Sequence, residues 1–212
     1  MIEKTKRNGT RAIIFDYDGV LADTEPLYWK TWAGLVAPYG VRLSWEDYCR
    51  LGRGRRDEHM LESLSPFASA PLRRADLEQQ IEQGKQKIRE WCAQKSPIDR
   101  ETVQMLKELR GFRIGMVTSS DREAVEPVLR AAGIDGCFAA CVYGDDLHRH
   151  KPHPEPYLLM AERLGVQTGL AFEDSEAGLA SARAAGFTAI PVDAPVRLPA
   201  IVQESLSRLN HG

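Results

Sequence analysis

The sequence predicts an α/β protein: a doubly wound, parallel-sheet core with a helical segment inserted after its first strand. Three observations predict this. The apolar run Ala12 to Phe15, bounded by turn residues, reads as a fully buried strand. From about Asp23 to Ser96 the pattern is helical, with no strand signal. From Glu101 onward, strand-like and helix-like segments alternate, which means βαβ units and a parallel sheet. The expected division is 1–22 with 97–212 as the α/β core and 23–96 as a helical cap.

The elements follow in order. Residues Thr24 to Tyr39 carry Leu27, Trp32, Leu35 and Val36 at helical spacing, with Thr24 as N-cap, Pro26 in the first turn and Gly40 as stop. Helical segments are expected after Ser44, after Gly54 and from about Arg74 to Gln94. In the second half, helix Glu101 to Leu109 leads to strand Arg113 to Thr118. A helix from about Glu123 to Ala132 ends at Gly133, with Pro127 expected in or near its first turn. A strand is expected near Ala140 to Tyr143, and a helix from Pro154 to Leu164 that stops at Gly165. Strand Gly169 to Asp174, helix Ser175 to Ala185 and strand TAIPV complete the series. No internal repeat or low-complexity segment interrupts it.

Composition narrows the function classes. The chain has 212 residues, is 43% hydrophobic and carries a net charge of -2. That charge asks for neither nucleic acid nor an anionic membrane. No apolar stretch approaches the roughly 20 residues that span a bilayer. The N-terminal MIEKTKRNGT is polar and lacks the apolar core of a signal peptide, so a cytoplasmic location is expected. Cys49, Cys92, Cys137 and Cys141 form no C-x-x-C pair and read as small buried thiols in a reducing compartment.

The chemistry lies at the carboxyl ends of the expected strands, where open parallel sheets bind ligands. The first strand delivers Asp16 and Asp18, the second Thr118 and Ser119. The loop after the third delivers Lys151, and the fourth delivers Glu173 and Asp174. Taken singly, each is an ordinary cap, loop residue or surface lysine. Together, several carboxylates at one sheet edge repel one another unless a cation neutralises them. An all-oxygen set suits a hard ion such as Mg²⁺, and a hydroxyl beside a lysine suits phosphate oxygens. Other motifs fail on counting. DYDG is not an EF-hand, because its fifth and twelfth positions are Val20 and Leu27. GRGRRD is not G-x-G-x-x-G and follows no strand. His148, His150 and His153 lie in a proline-rich loop and read as solvated.

At these residues the chain resembles the haloacid dehalogenase superfamily, in its branch with a small helical cap. The resemblance covers residues 11 to 193 and rests on DYDGV at Asp16, VTSS at Thr118, KPHPEPY at Lys151 and FEDSEAG at Glu173. The first and last are specific, and the other two gain weight from their order. Within that branch it resembles the β-phosphoglucomutase-like and sugar-phosphate phosphatase-like members. The resemblance implies a Rossmann-like core, a small phosphorylated substrate and no protein partner. It implies that Asp16 is the nucleophile and Asp18 the general acid and base. Asp16, Asp18, Glu173 and Asp174 would hold Mg²⁺, and Thr118, Ser119 and Lys151 the phosphoryl group. Asp18 separates the chain from true haloacid dehalogenases and from phosphonoacetaldehyde hydrolase, which lack an aspartate there.

The cap residues are less legible. Arg56 falls where mutase-like relatives grip a distal phosphate, but a solvated basic face explains it equally. Tyr28 stands where those relatives carry histidine, and Gln83 where they carry a lysine. These departures favour hydrolysis by a phosphatase over a β-phosphoglucomutase-type mutase. A non-catalytic, phosphometabolite-binding regulator would have no need of the full acidic set.

Overall fold

The structure, a computed structural model, describes residues 12–210; the polar stretch MIEKTKRNGT lies outside them. Its centre is a parallel sheet of five strands: β1 (Ala12–Phe15), β2 (Arg113–Val117), β3 (Ala140–Val142), β4 (Gly169–Glu173) and β5 (Thr188–Pro191). The order is β3-β2-β1-β4-β5, so β1 is central and pairs with β2 on one side and β4 on the other.

Strand periodicity sorts the core into two layers. Ile13, Phe15, Ile114, Met116, Leu170 and Phe172 face one way. They pack there with Leu106 of α5 (Arg100–Glu108) and with Val125 and Leu129 of α6 (Arg122–Ala132). Ala12, Ile14, Val117 and Ala171 face the other way. Their partners are Tyr157, Met160 and Leu164 of α7 (Glu155–Leu164) and Ala182 of α8 (Glu176–Ala184). Burial of β1 on both faces explains why its sequence is continuously apolar rather than alternating.

Between β1 and β2 the chain is helical: α1 (Glu25–Val36), α2 (Trp45–Leu51), α3 (Asp57–Leu64) and α4 (Arg74–Gln94). These helices bury an apolar cluster of their own, in which Trp32 and Val36 meet Tyr48, Met60, Leu64, Leu77 and Ile81. Ser44 caps α2 by accepting the Asp47 amide at 3.0 Å.

Several local expectations change. Helix α1 ends at Val36, and Ala37–Tyr39 form a separate 3₁₀ turn. Thr24 occupies the cap position, but its hydroxyl makes no cap bond; it donates to Asp18 instead. Pro127 lies well inside α6 rather than in its first turn, and the apolar face of Val125, Val128 and Leu129 holds the helix together through it. The histidine loop is not simply solvated: His150 is half-buried and its Nε2 meets Arg56 at 3.3 Å. A final helix, α9 (Leu198–Asn210), was not anticipated; its Leu198 and Val202 complete the layer beneath β1. The four cysteines are free. Among the described residues, no helix is long and apolar enough to cross a membrane.

Candidate active site

Asp16 follows β1 directly and is held from below. The stacked rings of Phe15 and Phe172, 5.3 Å apart, fill the layer beneath it, and its amide donates to the Phe172 carbonyl at 3.0 Å. The chain then turns back so that the Gly19 amide donates to Ala22 at 2.8 Å. The turn needs φ +72° at Gly19, a left-handed conformation that favours glycine. This turn places Asp18 beside Asp16 on the same sheet edge.

Lys151 ties the acids together. Its Nζ lies 2.9 Å from Asp16 Oδ1 and 2.6 Å from Glu173 Oε1, and it donates to the Val117 carbonyl at 3.4 Å. All three charged groups are buried. The Tyr157 hydroxyl donates to the same Glu173 oxygen, and the Tyr17 amide donates to Asp16 Oδ1 at 2.8 Å. Burial pulls the Lys151 pKa down, but Asp16 and Glu173 outweigh it and hold the pKa above the ordinary lysine value. One ammonium cannot balance the carboxylates around it. Burial first, and then Asp16, push Glu173 and Asp174 well above the ordinary carboxylate range.

Asp18 sits in a cradle of hydroxyls. Thr24 donates to its Oδ1 at 2.6 Å, Ser120 to its Oδ2 at 2.6 Å, and Thr118 to Oδ2 at 3.4 Å. Burial raises its pKa, and the Ser120 and Thr24 hydroxyls pull it back.

Asp16, Glu173 and Asp174 each offer an oxygen within 4.8 Å of the others. Glu173 Oε2 and Asp174 Oδ1 are buried with no hydrogen-bond partner. Orphaned buried oxygens are costly. An all-carboxylate set with two unused oxygens and excess negative charge fits a hard cation.

Above the sheet edge lies a cavity with Asp16 and Asp18 at its base. Its upper walls come from the helical insertion, including Tyr28, Trp32, Arg56 and Met60. Arg56 lies 3.8 Å from Glu58 and touches His150. Ser119 donates to the Gly54 carbonyl at 3.4 Å, so it meets the insertion rather than an acid.

Sequence reading did not single out several residues of this site. Ser120 stands one place beyond the Thr118-Ser119 pair. Arg53 reaches Asp174 at 2.5 Å from within GRGRRD, which has no familiar motif spacing. Glu25 is buried and accepts a hydrogen bond from Tyr48 at 2.6 Å; its pKa is pushed up to about 7, chiefly by burial and next by Asp18. Lys85 lines the cavity from α4 and pairs with Asp57 at 2.7 Å, two residues beyond the expected Gln83. Tyr157 closes the KPHPEPY stretch and Glu25 lies five residues beyond DYDGV; nothing in the sequence marks Tyr48 or Lys85.

A family model for haloacid dehalogenase-like hydrolases matches residues 10–186. The chain belongs to that family. A phosphorylated carbohydrates phosphatase from Thermotoga maritima is 33% identical over 84% of this chain and 83% of its own length. A fructose-1-phosphate phosphatase from Escherichia coli is 30% identical over 85% of this chain and 95% of its own. Among solved structures, a β-phosphoglucomutase from Clostridium difficile superposes with a TM-score of 0.75 at 21% identity. It covers 95% of this chain and 99% of the other, a likeness of fold. The chain is thus a hydrolase of the phosphatase and phosphoglucomutase-like branch, and an enzyme rather than a binding module.

Proposed function

We propose that this haloacid dehalogenase-like hydrolase is a Mg²⁺-dependent phosphatase of small sugar phosphates that works through an aspartyl phosphate on Asp16. The observation that carries the proposal is the convergence of Asp16, Asp18, Lys151, Glu173 and Asp174 at one sheet edge beneath a cavity. The phosphatase relatives from Thermotoga maritima and Escherichia coli support the substrate class.

The residues divide the reaction as follows. A carboxylate oxygen of Asp16 attacks phosphorus as the bond to the sugar oxygen breaks. Asp18 gives its proton to the departing oxygen, and the alcohol leaves. In the second half Asp18 takes a proton from water, the water attacks the aspartyl phosphate, and the phosphorus bond to Asp16 breaks. Inorganic phosphate departs and Asp16 is restored. Thr24 and Ser120 hold Asp18 in place for both transfers. Lys151 fixes Asp16 and, with Thr118 and Ser119, faces the phosphoryl oxygens. Asp16, the Asp18 main-chain carbonyl and Asp174 would hold Mg²⁺, with Glu173 assisting. When bound, the ion supplies positive charge to the phosphoryl oxygens. Residues 23–96 act as the cap that admits substrate and excludes water.

The test is a screen of phosphorylated sugars and polyols for phosphate release, with Mg²⁺ and with chelator, on wild type and Asp16→Asn. Release that needs Mg²⁺ and is lost in the isosteric variant is expected. Release by Asp16→Asn within tenfold of wild type overturns the nucleophile, and full activity in chelator overturns the metal. Turnover that starts only when glucose 1,6-bisphosphate is added would instead identify a mutase.

A further inference from the structure

Loop 52–56 of the insertion meets the sheet edge at several points. Arg53 Nε donates to Asp174 Oδ2 at 2.5 Å, and the two side chains are 15% and 0% exposed. Gly54, at φ +71°, comes so close to the core that a Cβ there would lie 2.2 Å from the Ser175 hydroxyl. Ser119 and His150 contact Gly54 and Arg56 from the core side. Space for the ion pair is left by Gly19, where a Cβ would lie 1.8 Å from Asp174 Oδ2 and 3.0 Å from Arg53 Nη2. Two glycines on opposite sides of the cleft thus let a guanidinium reach a carboxylate at its floor.

We infer that Arg53 is a counter-cation, carried on the insertion, that competes with the divalent ion for Asp174. The inference rests on the magnesium reading above. A guanidinium and a dication on one small carboxylate repel each other, and the closed cleft screens that repulsion poorly. Glu25 adds a second, weaker attraction on Arg53 when it is ionised. When the ion takes Asp174, loop 52–56 loses its charged anchor on the core. Ion loading and docking of this loop therefore oppose each other, and the effect is reciprocal.

Two measurements test this, neither of them turnover. The first is calorimetric titration of MgCl₂ into the substrate-free full chain. Arg53→Met is expected to bind Mg²⁺ about tenfold more tightly than wild type, within the usual range for coupled sites. The second uses wild type alone. Trypsin can cut after Arg53, Arg55 and Arg56, and cleavage there, mapped by mass spectrometry, is expected to speed up when Mg²⁺ is added. Equal or weaker Mg²⁺ binding by Arg53→Met overturns the inference and leaves the magnesium reading standing. Cleavage in loop 52–56 that Mg²⁺ slows or leaves unchanged also overturns it, and decides the matter if the variant fails to fold. No Mg²⁺ binding by either protein overturns the magnesium reading and this inference with it.

Discussion

Gly178→Ala replaces a glycine in a helix with the best helix former, a change worth about 1 kcal/mol in favour of the helix elsewhere. Here the sign is expected to reverse. A Cβ at Gly178 would lie 1.8 Å from Glu173 Oε2 and 2.2 Å from its Cδ, far inside van der Waals contact. The end of a free side chain would swing away cheaply. This carboxylate cannot, because its other oxygen is bound by Lys151 at 2.6 Å and by the Tyr157 hydroxyl. Either α8 moves off β4 or Glu173 leaves Lys151. Overpacking costs about 1–3 kcal/mol, and breaking a buried ion pair about 3–5 kcal/mol. Even the cheaper route, partly offset by helix propensity, leaves a net loss of about 1 kcal/mol. In a domain of this size that lowers Tm by roughly 2–4 °C. The assay is thermal unfolding by circular dichroism in chelator, paired with turnover on the best sugar phosphate. Lower Tm and at least tenfold lower turnover are expected, since Lys151 also positions Asp16. A Tm equal to or above wild type would refute the packing around Glu173.

Three further outcomes are expected. Ser120→Ala removes the shorter of the two hydroxyl bonds to Asp18 Oδ2. A bond to a charged group is worth about 1.5–3 kcal/mol, so kcat should fall roughly tenfold to a hundredfold with little change in KM; an unchanged kcat would show that Asp18 needs no such support. Glu25 has its pKa raised from 4.5 to about 7, so the native state holds that proton more tightly than the unfolded chain does. Its stabilising contribution is full below pH 4.5 and is lost as pH rises through about 7; denaturant titrations in chelator should show this decline in wild type and not in Glu25→Gln, and parallel curves would sink the assignment. Arg56→Ala should lower kcat/KM about thirtyfold for the best sugar phosphate, equivalent to about 2 kcal/mol, while p-nitrophenyl phosphate is nearly unaffected; equal losses on both substrates would mean Arg56 serves the fold.

The acids of the site were legible because each ends a buried apolar strand, where a carboxylate is out of place without a partner. Glu173 and Asp174 followed from the same logic at the end of β4, whereas Lys151, in the loop after β3, gained its meaning only beside those acids and within KPHPEPY. What could not be read was contact between segments distant in sequence. Arg53 looks like one arginine among four until the fold sets it on Asp174. Tyr48 and Glu25 sit on different helices, and only packing of the insertion joins them. Ser120 was hidden by its neighbour, since either serine after Thr118 satisfies the spacing and only the turn after β2 decides which one meets Asp18. Helix α9 is a different case. Leu198, Ile201, Val202 and Leu206 repeat at helical spacing, so its signal is present in the sequence although no site residue drew attention to it.

The central position of β1 bears on how the protein is made. Its aspartates leave the ribosome well before the strands it pairs with, which begin only at Arg113 and Gly169. Until β4 arrives, one side of β1 is an unprotected edge, and its acids lack Glu173, Asp174 and the Phe172 carbonyl that fixes Asp16. The helical insertion, with its own apolar cluster, can collapse during that wait, but the acidic floor cannot. Chains that stall before β4 should therefore be inactive and, with an apolar edge exposed, prone to pair with one another. Activity recovered during refolding should then follow closure of the β1–β4 seam and lag behind the gain of helix.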